Sequence, residues 1–196
     1  MSKSDPGSTK KHDHSTAKWV ITVFLMTIVI SGVFSLVSDE LMDGSGIVAA
    51  FLILLVIILI GIIFDIIGMA VATADESPFH AMAARKVIGA KEAIRLLRKA
   101  ERVSSICNDV VGDICGVVSG SASAAIAVQL LQNFHFSWPR LASLLMSALV
   151  AGLTVGGKAV GKTFAVNSST TIVHTVGKIL YQFQHLTQLL RRKKSK

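Results

Sequence analysis

Residues 47–73 read IVAAFLILLVIILIGIIFDIIGMAVAT and carry one charge, Asp65. A hydrocarbon core of about 30 Å needs roughly 20 consecutive apolar residues in a helix. This run exceeds that length and has no turn signal inside it, so it predicts a membrane-spanning helix. Three further stretches have similar character. Residues 19–37 carry no charge, and Lys18 with Trp19 makes an interfacial anchor in front of them. Residues 103–131 are rich in Gly, Ala and Ser and contain Asn108, Asp109 and Asp113; residues 138–160 contain Lys158. The predicted fold class is therefore all-α integral membrane, with four transmembrane helices.

Composition agrees. Only 16% of the 196 residues are charged, against about a quarter in a soluble domain. The charges also gather at the two ends and in one central block, and mean hydropathy is +0.61. The first span follows a basic stretch, as a signal peptide would. Its apolar run is longer than an h-region of about 7–15 residues, and Ser35-Leu36-Val37 is a poor cleavage site, so a retained helix is expected.

Basic residues set the expected orientation. They fall in the tail before span one, in the segment after span two (Arg85, Lys86, Lys91, Arg95, Arg98, Lys99, Arg102) and in the terminal RRKKSK. The loop SDELMDGSG has none, and the loop near Pro139 has Arg140 alone. Four spans with both termini in the cytoplasm of a multi-pass cell-membrane protein satisfy every loop. The net charge of +8 then suits anionic lipid headgroups rather than nucleic acid, for which no aromatic recognition signature is present.

Outside the spans, residues 1–18 read as a disordered tail, in which His12 and His14 are incidental. Ser77-Pro78 suits a helix start. Residues 77–102 repeat apolar positions at Ala83, Val87, Ala90, Ile94 and Leu97, opposite Arg85, Lys91, Arg95 and Arg98. That pattern predicts a basic amphipathic hairpin at a membrane surface, with Gly89 as the break between two helices. Residues 163–196 form a juxtamembrane amphipathic helix and polybasic tail, with an apolar stripe at Ile172, Val176, Ile179, Phe183, Leu186 and Leu190. This stripe meets either the membrane interface or the protein itself.

Two features inside the spans point to function. Gly112, Gly116 and Gly120, and then Gly152 and Gly156, recur every four residues. Such rows let helix backbones approach where lipid supplies no hydrophobic drive, and helix packing is the expected role. Asp65, Asp109, Asp113 and Lys158 are ionisable groups in apolar segments, each costing about 2.5–3.5 kcal/mol at a span centre. They form either a structural polar network or a cation site between spans two, three and four. Cys107 and Cys115 read as small core residues, too far apart along one helix for a disulfide. No HExxH, GxSxG, GxxxxGK[ST] or dinucleotide motif occurs, so no enzyme activity is expected. The run GGKAVGKT lacks the strand that a phosphate loop follows.

Residues 64–71 (FDIIGMAV), 87–102 (VIGAKEAIRLLRKAER) and 157–163 (GKAVGKT) resemble, in order, three motifs of the CNNM/CorB/CorC magnesium transporters: FSxSETAL, GxKGAKxAxxLLxxxER and GEIIPKT. The resemblance covers the transmembrane domain only. It implies that residues 47–162 are a CNNM/CorB-like core, with 19–37 an added N-terminal span. It also implies divalent cation (Mg²⁺ or Co²⁺) transport, Mg²⁺ as the ion handled and a tendency to form homodimers. The family's cytoplasmic nucleotide-binding modules are expected to be absent. The site is degenerate: Asp65 and Ile67 stand at serine positions, Gly68 at the first glutamate, Lys158 at the GEIIPKT glutamate and Gly161 at its proline. Asn108 and Asp113 are the candidate counterparts of the family's asparagine. Lys158 either repels Mg²⁺ or stands in for it by pairing with Asp65 or Asp113. The alternative function is then a non-transporting scaffold or partner subunit that kept the fold and lost the ion site.

Overall fold

The computed structural model describes residues 6–42, 46–133 and 138–193, with side chains for 18–41, 46–133 and 138–186. Among these residues every element is helical: α1 (Pro6–Met42), α2 (Ile47–Thr73), α3 (Ser77–Ala84), α4 (Ala90–Leu97), α5 (Ala100–Ser105), a π-helical segment (Ile106–Gly112), α6 (Asp113–Asn133), α7 (Pro139–Asn167) and α8 (Ser169–Lys193). Four stretches are long and apolar enough to cross a membrane: Lys18–Leu41, Ile47–Thr73, Ala100–Asn133 and Pro139–Asn167.

Several boundaries differ from the sequence reading. The tail expected to be disordered over 1–18 is helical from Pro6, because a nucleated helix extends at little cost into polar residues; residues 1–5 and the side chains of His12 and His14 lie outside the described residues. The third span starts at Ala100 rather than 103. The fourth continues to Asn167, so the whole of GKAVGKT lies inside the helix rather than straddling its end, and the juxtamembrane helix starts at Ser169 rather than 163. Nothing between Gly157 and Val166 breaks a helix. The break comes at Asn167-Ser168, where short polar side chains compete for the backbone.

The hairpin has clear local causes. Pro78 opens α3, and Asp75 Oδ1 accepts from the Ser77 N–H at 3.2 Å. At its far end Val87 N–H donates to Met82 O and Lys86 N–H to Ala83 O, both at 3.0 Å. This is a Schellman cap with Lys86 (φ +57) where glycine is usual. Gly89 (φ +85) then starts α4 in a left-handed conformation that a Cβ would strain, and it does split the hairpin as expected.

α2 is the central helix. Near its start Ala50, Leu54 and Ile58 pack with Ala122, Ile126 and Val150. Near its end Ala70 and Val71 pack with Phe79, Ala93, Ala165 and Val173. So α2 runs antiparallel to α6 and parallel to α7. The start of α2, the end of α6 and the start of α7 gather at one end, and the hairpin and α8 at the other. α1 packs through Val23, Met26, Ile30 and Phe34 against the π-helical segment and α6. The start of its apolar stretch is tied to the hairpin end, where Arg102 lies 5.1 Å above the Trp19 ring. The basic hairpin and the acidic Asp39-Glu40 turn therefore sit at opposite ends, the separation that the loop charges predicted.

The glycine rows pack differently from expectation. A Cβ on Gly116, Gly120, Gly152 or Gly156 would meet nothing within 4 Å, so these positions are not helix contacts within the chain. Residues four apart drift roughly 40° around a 3.6-residue helix at each step. The row that starts inward at Gly112 therefore turns outward by Gly120, and Cys115, Ser119, Ala122 and Ile126 take the buried face. The close approaches are made by Gly61 against Cys115, Gly157 against Ile62 and Gly161 against Ile66. Gly152→Ala and Gly156→Ala, made together, are therefore expected to leave the fold intact and raise stability by up to about 1 kcal/mol each, the helix-propensity difference; the thermal midpoint in detergent checks this.

Candidate functional site

Four elements bring polar groups together about two turns from the hairpin end. α2 contributes Asp65, which is buried at 4% exposure. The π-helical segment contributes Asn108 and the Gly112 carbonyl, and α6 starts with Asp113. From α7 comes Lys158, which turns inward. Its Nζ donates to Gly112 O at 3.0 Å and pairs with Asp113 Oδ1 at 3.5 Å. A Cβ built on Gly112 would lie 3.4 Å from Asp65 Oδ1 and 3.5 Å from Lys158 Nζ. The two charges thus face each other across one methyl-sized gap that glycine leaves open. π-helical turns occur often at functional sites, and here the segment ends on the carbonyl that takes the ammonium.

The sequence-predicted residues Asp65, Asp113 and Lys158 are brought together. Asn108 sits one turn away, where its Nδ2 donates to Ser104 Oγ at 3.2 Å. Gly68 is what admits it: a Cβ there would collide with Asn108 Oδ1. Asp109 does not join the cluster; it is exposed and accepts from Ser105 Oγ at 2.9 Å. Gly112, expected as a packing position, is buried against α2 and also turns its carbonyl to Lys158 Nζ. Cys107 and Cys115 are buried free thiols.

Lys162 was missed by the sequence reading. Its Nζ lies 4.0 Å from Asp65 Oδ2. The available signal was spacing, since Lys158 and Lys162 are one turn apart on an apolar helix and so share a face. It was hidden by placing the end of the span before Lys162. The cluster thus sets two carboxylates against two ammoniums. Within it Asp65 Oδ2 and Asn108 Oδ1 are buried and have no hydrogen-bond partner among the described residues. Among those residues no group of three or more His, Cys, Asp or Glu side chains is placed to hold a metal ion.

The serines of α6 do not join helices. Ser119, Ser121 and Ser123 each return a hydrogen bond to the carbonyl three residues earlier, at 2.8–2.9 Å. Comparison of the chain with protein-family models, curated proteins and solved structures finds no match.

Proposed function

We propose that this chain is a multi-pass membrane protein with a CNNM/CorB-like core whose ion position is filled by its own lysines, and that it works as a non-transporting scaffold or partner subunit. One observation carries this reading: the Lys158 ammonium sits between the Gly112 carbonyl and the Asp113 carboxylate, beside buried Asp65. With Lys162 at Asp65, the cluster has no spare negative charge for a divalent ion. Mg²⁺ is held through carboxylates and retained waters. Against a fixed ammonium 4 Å away it meets about 4 kcal/mol of repulsion per unit of charge at an effective dielectric of 20. The outward glycines of α6 and α7 leave a surface that another helix can approach closely, including one from a second copy. The basic residues of the hairpin and tail support a topology with both termini in the cytoplasm.

The second reading, divalent cation transport, draws on a different observation. Asp65 Oδ2 and Asn108 Oδ1 are buried acceptors without a hydrogen bond among the described residues, and the Lys162 side chain, 4.0 Å from Asp65 Oδ2, is half exposed and able to swing away. Flux into proteoliposomes separates the two. Wild-type chain is expected to move no Mg²⁺ above protein-free liposomes. Mg²⁺ uptake by wild type, lost on Asp65→Asn, makes the chain a transporter.

A further inference from the structure

We infer that the hairpin tip and the distal half of α8 form one docking surface for anionic phospholipid headgroups of the bilayer that the spans cross. The inference rests on the multi-pass reading above. Val87 and Ile88 at the tip are exposed, by 37% and 58%. They are held firmly all the same. Ile88 O bonds to His174 Nε2 at 3.2 Å, and a Cβ on Gly89 would come within 2.5 Å of the Lys178 backbone nitrogen. The tip is thus seated against the His174–Lys178 turn of α8.

Along α8 the apolar stripe divides. Ile172 and Val176 are half-buried and Val173 is fully buried, packed with the end of α2 and with the hairpin. Ile179 and Leu186, two turns apart on one face, remain exposed; the side chain of Leu190 lies outside the described residues. The reading of α8 as self-packing therefore holds for its first half only. Around the exposed half the charge is predominantly positive, with half-buried Glu92 beside Lys91 on α4. Arg85, Lys86, Lys91 and Lys178 are exposed. The helix leads into RRKKSK, and no acidic residue follows Asp113 anywhere in the chain.

Charge complementarity and continuity with the spans select lipid as the occupant. α8 follows α7 with only Ser168 between them, so it starts at the depth where the fourth span ends. A basic cluster directly beside a span, with apolar side chains next to it, has the chemistry of an interfacial lipid-binding helix. An acidic soluble protein would match the charges but would leave the exposed Val87, Ile88, Ile179 and Leu186 without a hydrocarbon to enter.

Hydrogen exchange of the full chain in nanodiscs tests this, with neutral phosphatidylcholine compared against an equal mixture with phosphatidylglycerol. Exchange over residues 179–193 is expected to slow several-fold in the anionic discs. Most of that protection should vanish in 1 M salt, where the screening length falls from about 10 Å to about 3 Å. It should vanish too in the Arg191→Gln, Arg192→Gln, Lys193→Gln, Lys194→Gln variant, while Ile88→Ser with Ile179→Ser weakens it without changing the salt dependence. Equal exchange in both lipids overturns the inference. So does protection that survives the charge variant, or protection that appears only with two chains per disc, which assigns the surface to a second copy. Release of the chain from membranes by alkaline carbonate is a separate outcome: it overturns the multi-pass reading itself.

Discussion

Gly89→Ala is expected to lower stability by about 3 kcal/mol, measured as the thermal midpoint of the purified chain in detergent. Two costs combine. A left-handed backbone costs a non-glycine residue roughly 1–2 kcal/mol, and Gly89 sits at φ +85. The added methyl would also press on the backbone of Lys178 and Gly177 at 2.5–2.8 Å, where no flexible side chain can give way. Overpacking of this kind costs about 1–3 kcal/mol. Gly177→Ala separates the two contributions. It lies inside a helix, so propensity alone would favour alanine by roughly 1 kcal/mol. Yet a Cβ there would meet the Gly89 carbonyl, Ala93 N at 3.1 Å and Ala93 Cβ at 3.2 Å. A lowered midpoint for Gly177→Ala shows that the α4–α8 contact holds the hairpin. An unchanged or raised one shows that α8 is loosely attached.

This contact also marks what the sequence could disclose. The helical spans are legible because apolar length is a local property: residues 47–73 announce themselves without reference to any neighbour. Gly89 as a hairpin break is legible for the same reason. The partner of a glycine is not. Nothing in VIGAK points to Gly177, nearly ninety residues on, and nothing in GSASAA shows that Gly120 faces outward while Gly61 and Gly157 make the close approaches. Those outcomes depend on helix rotation, which a four-residue row cannot specify because it drifts around the helix axis. The π-helical segment is likewise unannounced, and it is what sets the Gly112 carbonyl at the site.

The interior charges were legible as a set but not as an arrangement. Asp65, Asp113 and Lys158 stand out because each is expensive in an apolar run, and that cost predicts that they meet. They do meet, with Lys158 at the centre. Lys162 escaped because a helix end was placed too early, a boundary error of the kind that short polar motifs invite.

Lys158 carries the second large effect. Lys158→Met removes a charge-assisted hydrogen bond to Gly112 O, worth about 1.5–3 kcal/mol, and leaves the carboxylates with Lys162 as their remaining ammonium. Breaking a buried pair from one side costs about 3–5 kcal/mol, but Asp113 is largely exposed, so a loss near 3 kcal/mol is expected. Asp113→Asn in the Lys158→Met background should return part of it, since the unpaired charge is then gone. Lys158→Glu goes further and discriminates between the functional readings. The introduced carboxylate joins Asp65 and Asp113, and the cluster changes from balanced to net negative by the charge of one divalent ion. That variant is expected to be the least stable in chelator and to be rescued by Mg²⁺. The rescue follows ligand linkage, about 2.7 kcal/mol at a hundredfold excess over its dissociation constant. Wild type should show no such rise, because its own ammonium already occupies the position. A midpoint that climbs with Mg²⁺ in wild type as steeply as in Lys158→Glu would mean that Lys158 yields to the ion, and the closed-site reading would give way to transport.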